Sequence, residues 1–139
     1  MKAVVDTSVW SLALRRRVSQ LNAEELKTRD ELDALMFERD IVLVGPVRQE
    51  LLTGISDAGF FARLQQQLRA FPDEPLTTED FERAAEFSNR CRASGIAGSP
   101  TDFLICAIAY RQAMSIFTLN RDFSRYATAI PVQLHSVRS

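Results

Sequence analysis

The sequence predicts an α/β protein, a three-layer α/β/α sandwich around a mainly parallel sheet of four to five strands. Three observations carry this. Short apolar runs alternate with helical patterns from end to end, as when crossover helices join parallel strands. The runs are bounded by turn residues and rich in valine and isoleucine, which suits strands buried on both faces. The 139 residues are 46% hydrophobic and 25% charged, enough for one core and one domain over residues 1–139.

The elements follow in order. Lys2 to Val5 reads as a strand ending at Asp6. Asp6-Thr7-Ser8 supplies capping oxygens for a helix through Val9–Leu14, and Arg15-Arg16-Arg17 closes it at the negative end of its dipole. Asn22 caps a second helix, with Leu26, Leu32, Leu35 and Met36 at helical spacing. Ile41–Val44 is a strand, and Gly45-Pro46 opens a helix bearing Val47, Glu50, Leu51 and Leu52 that stops near Gly54. Ala58–Ala70 is amphipathic, and Phe71–Leu76 is extended, with room for one short edge strand. A helix runs from Thr78 to about Ser94, and Gly95–Gly98 is a loop. Ser99–Asp102 opens an apolar helix reaching Ala113. Ser115–Thr118 is a strand, Leu119–Asp122 a turn and Pro131–Leu134 a last strand.

Composition narrows the chemistry. His135 is the sole histidine, so triads and metalloprotease sites that need a placed imidazole are excluded. Cys91 and Cys106 lack the spacing of a thiolate zinc site; Cys106 reads as a small core residue and His135 as a bystander near a sheet edge. No apolar stretch is long enough to span a membrane, and the N-terminus meets a carboxylate too early for a signal peptide, so a cytoplasmic location is expected. The net charge is −1, so no global field draws in nucleic acid, yet fifteen of the seventeen basic residues are arginines, whose forks match phosphate. Base composition of the genome would produce the same bias.

The remaining tools are carboxylates. In an open parallel sheet, ligands collect beyond the carboxyl ends of the strands. Asp6 ends the first strand, Glu50 lies one turn into the helix after the second, and Asp122 follows the penultimate strand. Asp102 joins them if its helix begins at that edge. Each has a plainer reading. Asp6 suits a helix cap, Ser99-x-x-Asp102 a capping box, Glu50 a solvated helix face and Asp122 an ordinary turn. Taken together, four acids suit a hard divalent cation, Mg²⁺ or Mn²⁺, which prefers oxygen ligands and serves phosphodiester displacement.

Four segments then resemble a known family. Val4-Val5-Asp6-Thr7-Ser8-Val9-Trp10, Arg48–Gly54, Ser99–Ala109 and Ile116–Phe123 are similar, in order, to the four motifs of PIN domains. The resemblance covers essentially the whole chain. It implies a metal-dependent endoribonuclease in which Asp6, Glu50, Asp102 and Asp122 are the catalytic and metal-site residues. It also implies supporting roles for Thr118, Asn120 and Ser8. Asn120 stands where many members carry another aspartate. The resemblance also points to a subgroup, the compact bacterial toxins of the VapC type, which implies an RNA substrate and a small VapB-like antitoxin.

Two other functions compete. A degenerate domain of this kind would bind a partner without catalysis. A phosphate-handling receiver-like regulator would need a late lysine, and Lys2 and Lys27 are the only lysines. Arg15, Arg16 and Arg17, and more weakly Arg90 and Arg92, are candidate RNA or antitoxin contacts. Trp10 reads as a core or interface aromatic. Trp10, Leu12, Leu14, Leu32, Leu35 and Met36 exceed what the first two helices bury, so an antitoxin groove is expected there. Phe60, Phe61, Leu64, Leu68 and Phe71 suggest a homodimer contact.

Overall fold

The computed structural model describes residues 1–138; Ser139, the last residue of the expected domain, lies outside them. The chain runs β1 (Ala3–Val5), α1 (Thr7–Arg15), a single 3₁₀ turn (Val18–Gln20), α2 (Ala23–Phe37), β2 (Ile41–Val42), α3 (Gly45–Leu52) and α4 (Ala58–Leu68). It continues through α5 (Thr78–Ala93), α6 (Pro100–Arg111), β3 (Ser115–Phe117) and α7 (Asp122–Tyr126). The starts of the long helices are written locally. Asn22 and Glu25 form a reciprocal capping box on α2, and Thr77 and Asp80 form one on α5. Asp57 caps α4, and Pro46 and Pro100 sit in the first turns of α3 and α6. No helix among the described residues is long and apolar enough to cross a membrane.

The sheet is parallel, in the order β2-β1-β3, with Ala3 opposite both Ile41 and Ser115, and Val5 opposite Phe117. It has three strands among the described residues, fewer than the four to five expected. The two missing ones survive as single parallel bridges, Leu43–Asp73 beyond β2 and Ile116–Leu134 beyond β3. Proline limits both. Pro72 and Pro75 bracket Asp73, and Pro131 precedes Leu134; each removes a ladder donor and restricts the chain to an edge. The run Ile41–Val44 is shortened for a different reason. Val44 is taken as the N-cap of α3, whose first turn holds Pro46. The expected turn at Leu119–Asp122 instead leads into α7, whose five residues are too few to show a period in sequence.

The core closes tightly. Trp10 is 1% exposed and meets Phe71 edge-on at 5.2 Å between centroids, so it is a core residue. Leu12, Leu32 and Leu35 are buried, and Leu14 and Met36 pack against the core. The apolar surplus expected on the first two helices is therefore largely absorbed inside. Cys106 is buried as expected, and burial pushes its thiol well up. His135 is no bystander. Its Nε2 meets buried Glu31, which Arg138 Nε also reaches at 3.0 Å, and its ring lies 5.1 Å from that of Phe117. The tail after the last bridge is thus tied onto α2.

Candidate functional site

β1 is central, and the chain leaves it first toward β2 and later toward β3. The switch point therefore falls between β1 and β3, at the carboxyl ends of the strands. Asp6 emerges there, directly after β1, with its N–H bonded to Phe117 O at 2.9 Å. It is 6% exposed. Its Oδ2 accepts two hydroxyls, Ser8 Oγ at 2.7 Å and Thr118 Oγ1 at 2.8 Å. Those hydroxyls are themselves held, since Ser8 Oγ accepts Leu119 N–H and Thr118 Oγ1 accepts Asn120 N–H, both at 2.9 Å. Asp6 thus serves as the N-cap of α1 and also has its carboxylate fixed from across the sheet. Ser8 and Thr118 thus both bear on the same oxygen of Asp6.

Asp102 lies in the first turn of α6, half-buried. Its N–H bonds to Ser99 Oγ at 3.1 Å, so Ser99 does cap the helix. Its carboxylate closes no reciprocal box. Oδ2 instead accepts the Tyr126 hydroxyl at 2.6 Å. Burial pushes the Asp102 carboxyl above its usual range, and the charges of Asp6 and Glu50 add to that rise. The Tyr126 phenol is pushed up as well, first by burial and then by its bond to Asp102. The charges of Asp6, just after β1, and of Glu50, on α3, therefore both act on Asp102 at the start of α6.

Glu50 is exposed on α3, and its Oε2 accepts Thr7 Oγ1 at 3.1 Å. A cleft of about 380 Å³ opens between Thr7, Pro46, Gln49, Glu50, Thr53 and Thr101. Asp122 opens α7 and is half-buried, with its N–H bonded to Asn120 Oδ1 at 3.0 Å. Asn120 therefore shapes the turn into α7. A hydrogen-bonded chain runs from Asp6 through Thr118 and Asn120 to Asp122.

Charge sets this edge apart. Two other buried acids are paired with arginines, Asp80 through the fork of Arg111 at 2.7 and 3.0 Å and Glu31 through Arg138 Nε at 3.0 Å. Among the described residues none of Asp6, Glu50, Asp102 and Asp122 pairs with a cation. The donor set is all oxygen and lacks counter-charge, which suits a hard divalent cation. No three His, Cys, Asp or Glu side chains among the described residues form a ready-made cage.

The arginines expected near the site are elsewhere. Arg15–Arg17 stand at the far end of α1, about 13 Å along the helix from Asp6. Arg16 is engaged with Glu25 and with Gln20 O. Arg90 pairs with Glu86 at 3.0 Å, and Arg92 borders a groove between α5 and α6. Arg121 and Arg125, both exposed and flanking Asp122, were not singled out from the sequence, whereas Arg48, two positions from Glu50, is engaged with Asp73 and Leu68 O. Thr7 and Tyr126 were also missed. Thr7 was legible as the hydroxyl next to Asp6, whereas nothing local marked Tyr126.

The fold and site define a small parallel α/β domain with unpaired acids near the switch point of its sheet. The chain belongs to the PIN domain family, whose model matches residues 3–129. Its fold is similar to that of FitAcB from Neisseria gonorrhoeae, with a TM-score of 0.75, 19% identity and 96% of each chain covered. It is similar to VapBC2 from Rickettsia felis, solved bound to a promoter DNA fragment, with a TM-score of 0.74 and 18% identity over 97% of this chain and 98% of that one. A toxin–antitoxin complex from Klebsiella pneumoniae aligns with a TM-score of 0.67 and 16% identity over 88% and 91%.

Proposed function

We propose that this protein is a metal-dependent endoribonuclease, acting in the cytoplasm as the toxin of a VapBC-type pair, with residues 1–139 forming one PIN-like domain. The observation that carries the reading is that Asp6, Glu50, Asp102 and Asp122 have no cation partner among the described residues, while the charges of Asp6 and Glu50 act on Asp102. Asp6, Glu50, Asp102 and Asp122 are the residues that would hold Mg²⁺ or Mn²⁺. A bound ion would offset phosphodiester charge and acidify the attacking water.

The chain's own groups prepare the edge for that chemistry. Ser8 and Thr118 take up Oδ2 of Asp6 and thereby orient the whole carboxylate. Thr7 steadies Glu50 at the mouth of the cleft, where substrate approaches from solvent. The exposure of Arg121 and Arg125 on either side of Asp122 supports a role for them in meeting backbone phosphates. Family membership supports RNA as the substrate. The Klebsiella neighbour is a toxin–antitoxin complex, which supports an antitoxin partner for this chain too.

The test is cleavage of RNA by purified protein with Mg²⁺ or Mn²⁺, abolished by chelator and by Asp6→Asn. A well-folded Asp6→Asn protein that cleaves at the wild-type rate, free of contaminating nuclease, overturns the assignment.

A further inference from the structure

Among the described residues, Tyr126 is the one aromatic whose polar end bonds to one of the four acids. The residue is fully buried, on the last turn of α7, four positions beyond Asp122. Its ring is clamped between Phe103 of α6 at 4.9 Å and Phe123 of α7 at 5.2 Å between centroids. Its hydroxyl donates to Asp102 Oδ2 at 2.6 Å, a charge-assisted length. The phenol also passes against the loop that precedes α6. A β-carbon at Gly98 would stand 2.7 Å from Tyr126 Cζ and 2.9 Å from Cε1, and closer still to the hydroxyl, so only glycine leaves room for the ring.

These contacts make a single brace. α6 carries Asp102 and α7 carries Asp122, and the two helices meet through the Phe103–Tyr126–Phe123 stack. The rigid ring fixes where the hydroxyl sits, and the hydroxyl fixes one oxygen of Asp102. That bond engages Oδ2 alone. The arrangement parallels Asp6, whose Oδ2 is likewise taken by hydroxyl donors.

We propose that Tyr126 is a positioning residue for the divalent-ion site. It holds Asp102 in its ligating orientation through the 2.6 Å bond, and Gly98 is the glycine that admits it. The proposal rests on the metal-site reading of Asp102. Tyr126 touches neither ion nor substrate and acts through the carboxylate.

The experiment is calorimetric titration of Mn²⁺ into full-length wild type, Tyr126→Phe and Phe87→Leu, with melting temperatures taken in chelator. Phenylalanine keeps the ring packing and removes only the donor. Losing a hydrogen bond to a charged group should weaken Mn²⁺ binding about tenfold in Tyr126→Phe. Phe87→Leu, a core change on α5, should lower the melting temperature and leave Mn²⁺ affinity unchanged. If Tyr126→Phe binds Mn²⁺ as tightly as wild type, the brace is overturned while the metal-site reading stands. If wild type binds no Mn²⁺, both fall. Should Tyr126→Phe fail to fold, wild type labelled with ¹³C at tyrosine Cζ decides the matter. Saturating Mg²⁺ should shift the Tyr126 resonance and leave that of Tyr110, 44% exposed, in place. A Tyr126 signal unmoved by Mg²⁺ that binds overturns the proposal.

Discussion

Thr118 donates its hydroxyl to Asp6 Oδ2 at 2.8 Å across the β1–β3 ladder, joining residues 112 positions apart. The parallel register makes this contact unavoidable. Val5 pairs with Phe117, so the next residue of each strand leaves the sheet at the same level. Thr118→Val should therefore lower RNA cleavage about tenfold or more, the worth of a bond to a charged acceptor, while the melting temperature moves little. Single-turnover cleavage measures this. Wild-type activity in a folded Thr118→Val protein would show that the clamp on Asp6 is dispensable.

Asp102 makes a prediction of opposite sign for stability and activity. Burial, with the charges of Asp6 and Glu50, raises its carboxyl above the ordinary 3.8, so ionisation destabilises the metal-free fold. That penalty is complete above the folded-state value and absent below the unfolded one. Asp102→Asn should melt higher than wild type in chelator at pH 7, with the gap closing as the pH falls below about 4. Its RNA cleavage should be lost. A lower melting temperature at pH 7 would mean that the carboxylate's main role is local to the start of α6.

Glu31 behaves the other way. Burial pushes its carboxyl up, but the bonds from His135 and Arg138 outweigh burial and hold it below 4.5. The stability it contributes is present above 4.5 and lost as the pH falls through its folded value. Glu31→Gln should lower the melting temperature at pH 7 by several degrees and much less near pH 3. A difference that is independent of pH would remove Glu31 from the acid sensitivity of the fold.

The antitoxin is expected to place a basic side chain among the unneutralised acids and so compete with the metal. Replacing Asp6 and Asp122 together by asparagine should weaken a co-purified partner at least tenfold, by about 1.4 kcal/mol. Equal affinity for the double variant would exclude insertion among these acids.

Self-association is narrowed by the packing of α4. Leu64 and Leu68 are buried, and Phe60 and Phe71 lie against the core, which leaves half-buried Phe61 as the residue for a homodimer contact. We expect a dimer by light scattering at micromolar concentration, and a monomer for Phe61→Glu. A wild-type mass that stays monomeric across concentrations removes the dimer.

The alternation of apolar runs and capped helices determined by itself that this chain builds a parallel α/β sheet, because strand burial and helix capping depend on residues within a few positions of one another. It also determined that Asp6 lies at a strand's carboxyl end and Asp102 in a helix's first turn. The full length of the sheet was not legible. Whether Asp73 and Leu134 extend it depends on how far proline-bearing edges can pair. Only the tertiary structure decided what holds the acids. Thr7 reaches Glu50 over 43 positions, Thr118 reaches Asp6 over 112 and Tyr126 reaches Asp102 over 24. It likewise decided between core and interface for Trp10, which is 1% exposed. Those outcomes turn on strand register and on the ångström-scale approach of packed helices, and spacing along the chain carries neither.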